Sequence, residues 1–138
     1  MSQLDAQAAL QVFRLIELDR GAGCREIQVE GELDLAVADQ LQEALDRASE
    51  KYARILISLE NCEFIDSTGI AVIVRARKQL AEKGRRIAVY GASRQALRVL
   101  SITGLTANGL VFESADQAIS ALTDVDQLGP GGIQVNSP

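Results

Sequence analysis

The clearest alternation in the chain lies between residues 26 and 33. Ile27, Val29, Gly31 and Leu33 fall on one side, and Glu26, Gln28, Glu30 and Glu32 on the other. This period of two predicts a strand with one dry and one wet face. Val12 to Leu18 reads as a strand before it, and Arg20-Gly21-Ala22-Gly23 as the turn that joins the two into an antiparallel hairpin. The period then changes. Leu41, Ala44, Leu45 and Ala48 recur at helical spacing, which predicts a helix over Ala36 to Lys51. Arg54 to Glu60 is the next strand, and its Ile55-Leu56-Ile57 run predicts burial on both faces. A second helix is predicted from Thr68 to Lys83, stopped by Gly84. Its expected core stripe is Ile70, Ile73, Val74, Leu80 and Ala81, with Arg77 snorkelling at its edge. Ser67 and Val72 fall off that stripe, so Val72 is expected to be exposed.

Arg86 to Tyr90 reads as a strand, Ser93 as the cap of a third helix ending at Gly104, and Leu110 to Phe112 as a last short strand. Ser114 with Gln117 fits a capping box for a fourth helix ending near Leu122. The order β-β-α-β-α-β-α-β-α predicts an α/β fold: a mixed sheet of about five strands, parallel at its centre, with about four helices, most of them crossovers. Residues 11–123 form the expected domain, with an N-terminal extension at 1–10. Composition turns to Gly, Pro, Asn and Ser beyond Asp124, so 124–138 is expected to be a flexible tail.

Composition narrows the function classes. Hydrophobic residues make up 47% of 138, enough for a core, and with aromatics at 4% and no Trp that core must be aliphatic. The net charge of −5 and the lack of a long basic run argue against nucleic acid or an anionic membrane as partner. The longest purely apolar run, Ile70 to Val74, is far too short to span a bilayer, and Met1 to Leu10 lacks the pattern of a secretory leader. A cytoplasmic location is expected, with Cys24 and Cys62 as reduced, buried thiols. Histidine is absent altogether. No Ser-His-Asp triad can be built, and the usual zinc and non-haem iron sites lose their commonest ligand. A non-enzymatic protein without catalytic residues, metal or cofactor is expected.

Asp66-Ser67-Thr68-Gly69 closes the buried strand and opens the second helix. An aspartic-protease loop would read Asp-Thr/Ser-Gly; Thr68 interrupts it here, and no second copy supplies the partner carboxylate. A phospho-accepting aspartate would need further carboxylates for a metal beside the first strand, which instead runs into a hairpin. Two readings of Ser67 remain. It is the N-cap of the helix, or it is a serine placed for regulatory phosphorylation. A cap alone does not call for Gly69, a poor helix former by ~1 kcal/mol against Ala. Its presence predicts the close approach of another backbone or a bulky group.

Four stretches resemble the STAS family, and within it the bacterial anti-sigma factor antagonists. They are Val29-Glu30-Gly31-Glu32-Leu33-Asp34-Leu35, the run from Ile57 through Asp66-Ser67-Thr68-Gly69, Leu100-Ser101-Ile102-Thr103-Gly104-Leu105, and Ser114 to Leu122. The second is specific, and the resemblance covers about Val12 to Leu122. It implies a STAS fold and a partner switch. The unphosphorylated protein binds an anti-sigma factor that is also a serine kinase, and so releases a sigma factor. Phosphorylation at Ser67 ends the complex, and a metal-dependent serine phosphatase restores it. Asp34 and Asp66 match acidic positions at the partner surface. Thr68 stands where the family often has a second serine, which makes it a minor acceptor. Thr68, Gly69 and Val72 are the further expected contact residues. The resemblance also allows a second role, a constitutive scaffold or accessory subunit of a stressosome or transporter, with Ser67 serving only as a cap.

Overall fold

The computed structural model describes residues 13–102 and 109–132. The expected extension at 1–10, the stop at Gly104 and residues 133–138 lie outside the described residues. Strands β1 (Phe13–Gly21) and β2 (Cys24–Leu33) form the antiparallel hairpin. Helix α1 (Ala38–Lys51) leads to β3 (Arg54–Ile65), α2 (Ser67–Glu82) to β4 (Arg86–Tyr90), and α3 (Arg94–Ile102) to β5 (Val111–Phe112). Helix α4 (Ala115–Gly132) follows. The sheet has five strands in the order β1-β2-β3-β4-β5, parallel from β2 to β5. This is the mixed α/β architecture that the strand and helix order predicts.

The helices divide unequally between the faces. Core residues of α1 (Leu41, Leu45), α2 (Ile73, Leu80) and α3 (Ala96, Leu100) pack with Ile27, Val29, Ile55, Ile57 and Leu59 of the sheet in one cluster. Ala118 and Leu122 of α4 pack with Cys24, Leu56, Ala88 and Tyr90 in another. The α4 backbone remains helical well past the end expected near Leu122, through the Gly129-Pro130-Gly131-Gly132 run that helix propensity alone would not place in a helix.

The second face of β2 is therefore not uniformly wet. Glu26, placed by alternation on the solvent side, is fully buried. Its Oε2 accepts from Tyr90 Oη at 2.7 Å and from Gln28 Nε2 at 3.1 Å, and its Oε1 accepts from Arg20 Nε. Burial alone would push the carboxyl up, but the hydrogen bonds from Tyr90, Gln28 and Arg20 outweigh it and hold Glu26 below the ordinary range. Burial, with the facing Glu26 charge, moves the Tyr90 phenol the opposite way. Cys24 and Cys62 are free and buried, and burial raises both thiols.

Candidate functional site

Strand β3 continues five residues past the end expected at Glu60. Its partner β4 stops at the Ser58–Tyr90 pair, while pairing with β2 runs on to Leu33–Ile65. The strands that carry Asp34 and Asp66 thus end side by side. The Asp66 backbone N–H donates to the Leu33 carbonyl at 3.1 Å and ties the two loops together. Asp34 folds its own loop, its Oδ1 accepting from Ala36 N at 3.0 Å.

Helix α2 starts on a cap supplied by Asp66, not Ser67. The Asp66 backbone is extended (φ −105°, ψ −177°), and its side chain accepts from Gly69 N at 3.0 Å. Ser67 is the first helical residue. It is exposed, and its hydroxyl is not taken by the helix end. The expectation that Ser67 caps the helix is overturned. Aspartate competes for the cap as well as serine does, and only the backbone angles separate the two neighbours. The cap carboxylate also lies at the positive end of the helix dipole.

The other expected contact residues divide. Asp34, Asp66 and Thr68 are partly exposed. Gly69 is buried, and a Cβ there would lie 2.7 Å from Leu33 Cγ and 3.0 Å from Ile65 Cγ1. The close approach predicted for Gly69 is internal: its missing side chain makes room for Leu33. Val72, expected on the surface, is only 4% exposed, whereas Val74, assigned to the core, is 40% exposed. Ala81 is exposed as well. The reason is rotational. Contact with the sheet is centred on the row Gly69, Ile73, Ala76 and Leu80, because the helix approaches closest where Gly69 has no side chain. That rotation carries Val72 inward and Val74 outward, so Gly69 and Val72 are packing residues.

Two large apolar side chains at this tip are exposed. Leu35 is 74% exposed in the Asp34 loop, and Phe64 is 40% exposed two residues before Asp66. Both lie within the stretches that resemble the family, where nothing in the sequence marks them as exposed. Gln95, from the first turn of α3, bonds both backbone groups of Ile65: Ile65 N donates to its Oε1 at 3.1 Å, and its Nε2 donates to the Ile65 carbonyl at 2.8 Å. Among the described residues, no group of three or more Cys, Asp or Glu could hold a metal ion, and no helix is long and apolar enough to cross a membrane.

The STAS domain family model matches residues 16–118, from β1 into α4. The chain belongs to the STAS domain family. The STAS domain is similar to the anti-sigma F factor antagonist of Paenibacillus polymyxa, at 29% identity over 113 residues, covering 80% of this chain and 94% of that protein. It is 35% identical over 81 residues to the anti-sigma-B factor antagonist of Staphylococcus aureus, covering 58% of this chain and 75% of the other. It shares its fold with an anti-sigma factor antagonist from Mycobacterium paratuberculosis. That crystal structure superposes with a TM-score of 0.74 at 23% identity, covering 82% of this chain and 96% of that one.

Proposed function

We propose that this STAS domain is a cytoplasmic anti-sigma factor antagonist that works by partner switching. Unphosphorylated, it binds an anti-sigma factor that is a serine kinase, and the sigma factor is released. The kinase transfers the γ-phosphoryl group of ATP to Ser67 Oγ, with release of ADP and a proton, and the complex separates. A metal-dependent phosphatase hydrolyses the phosphoserine and resets the switch. The domain acts by binding and performs no chemistry of its own.

The observation that carries this reading is the division of labour at the start of α2. Asp66 holds the cap, so Ser67 presents its hydroxyl outward at the first helical position. A phosphoserine brings nearly two negative charges at pH 7. The helix N-terminus accommodates them, so the fold persists. The interface does not. Asp34 and Asp66 already stand on adjacent strand ends, flanked by exposed Leu35 and Phe64. Added charge among acidic and apolar groups is costly to desolvate against a partner. Thr68 is less exposed than Ser67 and is the secondary acceptor.

Tagged wild type, Ser67→Ala and Ser67→Asp should be used to capture partners and assayed with ATP. A kinase retained by Ser67→Ala and lost by Ser67→Asp, with phosphate on wild-type Ser67, is expected. Equal retention of one partner by all three proteins would replace the switch with a constitutive scaffold.

A further inference from the structure

We propose that Gln95 is a positioning residue for the Ser67 acceptor loop, an inference that rests on the switch reading for its functional half. The need for it follows from the sheet. Beyond Ser58, β3 has β2 on one side but no β4 on the other. Ile65, the last residue of β3, is fully buried, so its backbone polar groups require partners. The Gln95 carboxamide serves as a one-residue stand-in for the missing strand, accepting from Ile65 N and donating to Ile65 O.

The next peptide group is thereby fixed from both sides. Its carbonyl, that of Ile65, is held by Gln95, and its N–H, that of Asp66, is held by the Leu33 carbonyl. Asp66 in turn caps α2 and places Ser67 at its first position. The orientation of the acceptor hydroxyl is therefore set through Gln95, which belongs to a different helix.

Gln95 is itself built into place. Gly91 leaves β4 with φ +76°, and a Cβ there would collide with Glu60, so the chain turns tightly against β3. Ser93 then caps α3, its Oγ accepting from Ala96 N at 3.1 Å and its carbonyl from Leu97 N at 2.8 Å. The first turn of α3 is thus pinned, and Gln95 projects from it onto Ile65. Phosphoryl transfer depends on placing the attacking oxygen. A loosened loop should slow the transfer step without altering the surface the kinase grips.

The test compares wild type, Gln95→Leu, which keeps the bulk and loses both hydrogen bonds, and Gln95→Glu, which keeps the acceptor and loses the donor. Amide hydrogen exchange is read on the full chain without a partner. Exchange at Ile65, Gly69 and Ile70 should rise at least tenfold in Gln95→Leu and less in Gln95→Glu, with Ile55 to Ser58 unchanged. With the kinase retained by the tagged chain, kcat for Ser67 phosphorylation should fall about tenfold in Gln95→Leu, with KM within twofold. Unchanged exchange overturns the clamp. A KM rise at constant kcat overturns positioning in favour of direct kinase contact, and a rate within twofold despite faster exchange overturns the functional role. A wild-type chain that takes no phosphate at Ser67 overturns the switch reading and the functional half with it. The exchange result then still decides whether Gln95 holds the loop.

Discussion

Gly69 on α2 lies so close to Leu33 on β2 that a Cβ added to the glycine would come within 2.7 Å of the leucine Cγ. The contact joins the helix that begins at Ser67 to the strand that ends before Asp34. Gly69→Ala should therefore destabilise the domain, although alanine is the better helix former. The propensity gain is ~1 kcal/mol, and overpacking costs typically ~1–3 kcal/mol. A net loss of about 1 kcal/mol is expected on chemical denaturation. Leu33→Ala in the same background should recover part of the helix contact while opening a cavity, so the two changes will be non-additive.

The cap assignment separates two adjacent residues. Asp66→Ala removes the acceptor for Gly69 N and should cost ~1 kcal/mol, with Asp66→Asn close to wild type. Ser67→Ala touches no cap and should stay within about 0.5 kcal/mol. Urea midpoints at constant slope provide the comparison. The reverse order would return the cap to Ser67.

Ser67→Asp adds charge at a helix N-terminus, where it is tolerated. Its thermal midpoint should match wild type to within a few degrees. Its affinity for the anti-sigma partner should fall at least tenfold, about 1.4 kcal/mol. Calorimetry on the purified pair reads the second quantity and differential scanning the first.

The buried Glu26–Tyr90 pair gives the fold a pH dependence. Glu26 titrates below its ordinary value of 4.5 in the folded protein. A carboxyl with a lowered folded pKa binds more protons when unfolded, so stability rises with pH across that window. Its contribution is complete above the ordinary value and is lost as pH falls through the folded one. Tyr90→Phe removes the 2.7 Å donor to Glu26 and should cost about 1.5–3 kcal/mol at neutral pH. That cost should shrink as the solution is acidified below the glutamate range. Denaturation of both proteins at pH 7 and pH 3.5 checks the sign, and a pH-independent gap would contradict it.

Much of this molecule was legible along the chain because its signals are local. The β2 alternation, the α1 stripe and the Ile55–Ile57 run each follow from side-chain spacing within one element, and their order implied a mixed sheet with a parallel centre. Asp66-Ser67-Thr68-Gly69 was legible for the same reason, as a strand-to-helix junction with an accessible hydroxyl. What failed depended on what packs against each element. Period-two alternation cannot show that Tyr90, 64 residues away, closes on Glu26 together with Arg20 and Gln28, so a buried carboxylate looked like a wet one. The α2 stripe was rotated because the sheet meets that helix at Gly69, which placed Val72 inside and Val74 outside. Gln95 stands 30 residues from Ile65 and belongs to no motif. The sequence by itself determined the elements, their order and the chemistry available at Ser67. Only the tertiary structure decided which neighbour caps the helix and which distant side chain holds the loop, because those are choices of backbone angle and contact across the sheet that no single segment encodes.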